Sequence, residues 1–143
     1  VKAIVEDLLV LYPHIEKLFL CVDSECTSPA DLEPVVGKVE KQLGQIKPKP
    51  RYILVVHALE SWLMADERAV AQVLGPGAKV KPVTNPEGIC KPKRHFSAIF
   101  AKAGKNFDHV RDDPKIAKAV EDVNQIKQRC PSFAKFSEAV LDP

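Results

Sequence analysis

The chain has 143 residues, 45% hydrophobic and 28% charged, with a formal net charge of +2. That length fits one domain with a real core, and the composition excludes a disordered or collagen-like chain. No run approaches the ~18 apolar residues of a membrane-spanning helix and no charged-then-apolar leader is present, so a cytoplasmic protein without membrane contact is expected.

Taken in order, Ile4, Val5, Leu8, Leu9 and Tyr12 recur at helical spacing, and Pro13 closes that segment. Leu18 to Val22 is a continuous apolar run ending at Asp23, as in a strand buried on both faces of a parallel sheet. Ser28-Pro29 predicts a capped helix with Leu32, Val35, Val36, Val39 and Leu43 on one stripe, and Gly44 is expected to end it in a left-handed conformation. Lys47-Pro48-Lys49-Pro50-Arg51 cannot continue a helix, and residues 52–56 give a second strand. Strand, helix, strand in this order is a βαβ unit with parallel strands.

Beyond it the pattern is helical. Leu59, Trp62 and Leu63 open a short helix, and Asp66 is placed to cap another through Ala69, Val70, Val73 and Leu74. Residues 76–90 read as a proline- and glycine-rich loop, with residues 78–83 a candidate edge strand. Pro92 to Ala103 predicts a helix presenting Phe96, Ile99 and Phe100. Asp113-Pro114 is expected to start a long helix with Ile116, Val120, Val123 and Ile126 inward, and a last helix follows Pro131. Two or three strands is few for a sheet. The chain begins at Val1 without methionine, so residues 1–143 are read as a single α/β domain lacking its N-terminal strand, with another strand expected upstream or from a partner chain.

Charge is unevenly spread. Residues 1–66 carry a net −3 and residues 67–143 a net +5. Much of the basic excess is Lys79, Lys81, Lys91, Lys93 and Arg94, which reads either as a polyanion contact or as a solvated face. The four cysteines, Cys21, Cys26, Cys90 and Cys130, have none of the two-residue gaps typical of zinc ligands, and reduced thiols are expected.

Ligands of open parallel sheets gather outside the carboxyl ends of the strands. Asp23 and Glu25 follow the first strand there, and His57 and Glu60 the second. If the strands are neighbours, Asp23, Glu25 and Glu60 converge, and like charges so placed call for a hard divalent ion, Mg²⁺ or Mn²⁺. Against this, Asp23-Ser24-Glu25 also reads as a polar turn, Glu60 as a residue favoured in a first helical turn, and Trp62 as core.

Glu60-x-Trp62-Leu63-x-x-Asp66, then Asn85-Pro86-Glu87, Lys91-Pro92-Lys93 and Cys130-Pro131-Ser132-Phe133, resembles a domain-of-unknown-function family of prokaryotic proteins with a Toprim-related fold. The resemblance spans roughly residues 18–141. It implies a Toprim-like partial parallel sheet flanked by helices with a helical C-terminal half. It also implies Mg²⁺-dependent phosphodiester chemistry on nucleic acid. Taken with the strand-end placement and the charge pattern, Asp23, Glu25 and Glu60 are expected as metal ligands, Glu60 and His57 as catalytic residues, and the five basic residues on the phosphates. Phage-defence or repair kinship, an ATPase partner and a homo-oligomer are further implications. One departure stands out: the Gly-Glu strand of Toprim domains has no counterpart here, since Glu6 sits mid-helix. The competing reading is therefore a catalytically silent module that binds nucleic acid or an ATPase.

Overall fold

The computed structural model describes residues 1–142, apart from the side chain of Pro29. Its centre is a parallel pair of strands, β1 (Phe19–Asp23) and β2 (Arg51–Val55), in register from Phe19 opposite Arg51 to Asp23 opposite Val55. Helix α1 (Lys2–Leu11) precedes the pair and α2 (Pro29–Leu43) connects it. Six helices follow: α3 (Leu59–Met64), α4 (Glu67–Leu74), α5 (Pro92–Lys102), α6 (His109–Ala119), α7 (Val123–Arg129) and α8 (Pro131–Leu141). The result is a mixed α/β fold with a helical majority, and no helix among the described residues is long and apolar enough to cross a membrane.

Side chains pack on both faces of the pair, more fully over β2 than over β1, none of whose residues is fully buried and whose Cys21 is exposed. Leu18, Leu20 and Tyr52 pack with Val5, Leu9, Val39, Leu43 and Ile46, so α1 and α2 close one face. On the other, Phe19, Ile53 and Val55 pack with Trp62, Ile126, Phe133 and Phe136. Arg51 pairs with Asp142 at 2.9 Å and Lys17 donates to the Val140 carbonyl, tying the end of α8 to the start of the strands. A third cluster is purely helical: Leu63, Met64, Val70, Leu74, Phe96, Phe100 and Ile116 draw α3 to α6 together.

Several boundaries differ from the sequence reading. Among the described residues there are two strands and no more, and residues 78–83 form none. Val80 and Val83 instead pack individually against the helical core, with no neighbouring strand for their backbone. Gly44 is right-handed at φ −61°, because the chain continues as a further turn that donates Ile46 N–H to the Leu43 carbonyl. The expected long helix from Asp113 is two helices. Asp108 caps α6 through the Val110 amide, Asp112 returns to the Asp108 amide, and Asp122 caps α7. Those side chains satisfy the amides that open a helix, so the break lies between Ala119 and Val123, and Val123 is left exposed.

The helical core sets one expected outcome. Phe96→Ala or Ile116→Ala, both 0% exposed, should cost about 3–5 kcal/mol in urea unfolding. Val35→Ala, at 55% exposure although on the predicted apolar stripe, should stay within about 0.5 kcal/mol. Equal losses at all three would refute this division between core and surface.

Candidate functional site

At the carboxyl end of the strands the parallel pairing runs on as loop hydrogen bonds. Ser24 N–H donates to the Val55 carbonyl at 3.0 Å, Glu25 N–H to the His57 carbonyl at 2.9 Å, and His57 N–H to Ser24 Oγ at 2.7 Å. The two loops are therefore locked side by side. Glu25, Cys26 and His57 hold positive φ (53°, 74° and 63°), a region side chains other than glycine seldom occupy. The bend turns the chain directly into α3, five of whose six residues are buried, Glu60 among them.

Glu60 is 2% exposed. Lys93, near the start of α5, approaches its Oε1 at 3.6 Å. Asp113, on α6 and 9% exposed, stands against it, with Oδ1 buried and without a hydrogen-bond partner. Burial, then the charge of Glu60 and a hydrogen bond with its side chain, push the Asp113 carboxyl up to about 7. Asp23 belongs to the same group: burial raises its pKa, Glu60 and Glu25 raise it further, and Lys93 and the Leu59 amide pull it back. Three carboxyl groups from β1, α3 and α6 thus share one lysine.

The residues expected to form a site divide into three sets. Asp23 lies close enough to Glu60 for that charge to raise its carboxyl, Lys93 faces Glu60, and Glu25 is exposed two residues after Asp23. Among the described residues, however, no three of these carboxyl groups come within 4.8 Å of one another. His57 stands elsewhere, a ring nitrogen within 4.8 Å of the sulfurs of Cys26 and Cys90. Lys79 and Lys81 line a groove along α5 with His95 and Lys102, while Lys91 and Arg94 are exposed at its start. The cysteine expectation holds for Cys21 and Cys130, which are free, and is corrected for Cys26 and Cys90, which form a disulfide across a sequence separation of 64. Folding brings the loops after β1 and before α5 to one place, which sequence spacing cannot register. Asp113 is the residue that sequence reasoning missed. Asp112-Asp113-Pro114 resembles a helix start, and only the placement of α6 puts it opposite Glu60.

The remaining motif residues are structural. Asp66 caps α4 through the amides of Arg68 and Ala69. Trp62 packs edge-on to Phe133 and stacked on Phe136, and its Nε1–H donates to Ser132 Oγ at 2.7 Å. Ser132 in turn donates its amide (3.0 Å) and hydroxyl to Glu87. Gln125 and Arg129 both reach the Ala65 carbonyl and Glu67, clamping the α3–α4 joint onto α7.

A family described as a domain of unknown function (DUF4276) matches residues 10–141. No curated protein and no solved structure matches the chain significantly.

Asp113 gives a pH signature. Its folded value of about 7 lies above the ~3.9 of an unfolded aspartate. The folded chain therefore holds a proton that the unfolded chain has released across that window, and stability falls as pH rises through it. Asp113→Asn should remove that part of the pH dependence and melt above wild type by about pH 8. Matching melting profiles from acid to alkaline pH would contradict a protonated buried carboxyl.

Proposed function

From the motif resemblance and from the site itself, we propose that this chain, which belongs to the DUF4276 family of unknown function, is a Toprim-like, metal-dependent enzyme acting on the phosphodiester bonds of nucleic acid. The observation that supports the reading is the buried pair Glu60 and Asp113, with Asp23 near enough to feel the charge of Glu60, at the carboxyl end of a parallel strand pair. Lys93 is the one cation among the described residues within ion-pair distance of Glu60. An unpartnered, buried Asp113 oxygen and hard oxygen donors fit Mg²⁺ or Mn²⁺. Asp23 and Glu60 would hold the ion, with Glu25 at the open side. Bound there, it would supply charge stabilisation to the reacting phosphate.

The chain's own residues supply the rest. Asp113, a buried carboxyl beside Glu60 whose pKa is raised first of all by burial, is placed to serve as a general acid or base. We assign it the proton-carrier role for which the sequence offered His57. Lys93 would turn from Glu60 toward the substrate phosphate as the ion takes over neutralisation. Lys91 and Arg94, exposed beside it, would hold the nucleic-acid backbone, with Lys79 and Lys81 extending the track along α5.

A second reading rests on Lys93 itself. Its ion pair with Glu60 at 3.6 Å puts a cation where the metal would act, which suits a silent module that binds nucleic acid or an ATPase partner.

Plasmid nicking separates the two. With Mn²⁺ the enzyme reading expects relaxed circles from wild type and a loss of about 100-fold or more in Asp23→Asn and in Glu60→Gln. Salt-dependent DNA binding without cleavage, weakened in a Lys91→Ala/Arg94→Ala variant, would establish the silent module instead.

A further inference from the structure

The cluster beside the carboxylates has no part in the chemistry above. Cys26, His57 and Cys90 come from three separate loops, yet one ligand atom of each lies within 4.8 Å of the other two. His57 is held at φ 63°, and its Nδ1 is buried without a hydrogen-bond partner. A plain disulfide between Cys26 and Cys90 would account for neither feature of the histidine. Both cysteines are exposed, so a reductant and an ion can reach them. Each of the three also sits three residues from a member of the acidic site: Cys26 after Asp23, His57 before Glu60, and Cys90 before Lys93.

We propose that the reduced chain binds a zinc-class ion through Cys26, His57 and Cys90, with the disulfide as the oxidised, ion-free state of the same site. Two thiolates and an imidazole are the donors that borderline-soft ions select, in contrast to the oxygen donors of Asp23 and Glu60. The step balances. A dithiol reduces the Cys26–Cys90 bond and is itself oxidised to a disulfide, and the two thiols formed then lose their protons as the ion binds. Tetrahedral coordination asks the sulfurs to part by only about 2 Å, a small change between loops whose Cα atoms are 5.0 Å apart. Water would supply a fourth ligand. An ion there would join the loops bearing Asp23, Glu60 and Lys93 at a point next to the acidic cluster, whether or not that cluster takes Mg²⁺.

The test uses the full chain, reduced with a dithiol, freed of reductant and metal without air, and titrated with Co²⁺ and then Zn²⁺. A thiolate-to-cobalt charge-transfer band that saturates at one ion per chain and is bleached by Zn²⁺ is expected. Cys90→Ser and His57→Ala should each weaken binding by on the order of 100-fold, with folding checked by circular dichroism. Oxidised wild type, whose fold is unaltered, should give no band, which keeps the test decisive should a variant fail to fold. A double Asp23→Asn/Glu60→Gln variant should keep the band, separating this site from the carboxylate one. No band from reduced wild type, equal binding by oxidised chain, or full affinity in His57→Ala would overturn the proposal.

Discussion

The constraint on which the site depends is the burial of more negative charge than the protein itself neutralises. Glu60 and Asp113 are almost completely withdrawn from water, Asp23 adds a third carboxyl, and Lys93 is the one cation among the described residues that faces Glu60 within ion-pair distance. Leaving two such carboxylates ionised side by side in low dielectric is costly. The molecule answers by raising Asp113 to about 7 and placing it beside Glu60. Nothing in the fold requires these carboxyls. Apolar side chains there would extend the neighbouring helical core of Leu63, Phe96 and Ile116 without that penalty. A cost kept at the end of a parallel strand pair is the physical basis for reading a site there.

Much of the surrounding structure serves to hold this arrangement. Asp23 is fixed by the continued pairing of Ser24 and Glu25 with Val55 and His57. Glu60 is fixed because α3 is wedged among the strands, α8 and the helical core. The chain of bonds from Trp62 through Ser132 to Glu87 joins three distant segments of the sequence around that short helix. The motif residues therefore split by role: Glu60 at the site, and Trp62, Asp66, Glu87 and Ser132 in the frame. The Cys26–Cys90 link ties down the loop after Asp23, and Gln125 and Arg129 clamp the α3–α4 joint beyond Glu60 onto α7.

What the sequence revealed follows the range of the forces involved. The strand pair, its parallel sense, the cap at Ser28 and the cap at Asp66 depend on neighbours in sequence, and each is found as expected. That the loops after the two strands lie side by side was also legible, because a βαβ unit brings two strand ends together whatever else the chain does. Asp113 was not, since its role depends on how α6 packs against α3, a long-range contact without periodicity. The same holds for Cys26 and Cys90, whose proximity is set by loops 64 residues apart. Val35 and Val123 failed in the opposite way: their spacing is apolar and helical, yet packing leaves both exposed.

Asp23 and Glu60 are proposed to hold one cation, with Asp113 beside Glu60 as the proton carrier. Isothermal calorimetry with Mn²⁺ on the intact chain tests this most directly, comparing wild type with Asp23→Asn. One ion bound per chain, with proton release that disappears together with the binding in the variant, is the predicted result. Binding of equal strength and stoichiometry in both proteins, or no heat from wild type, would contradict it.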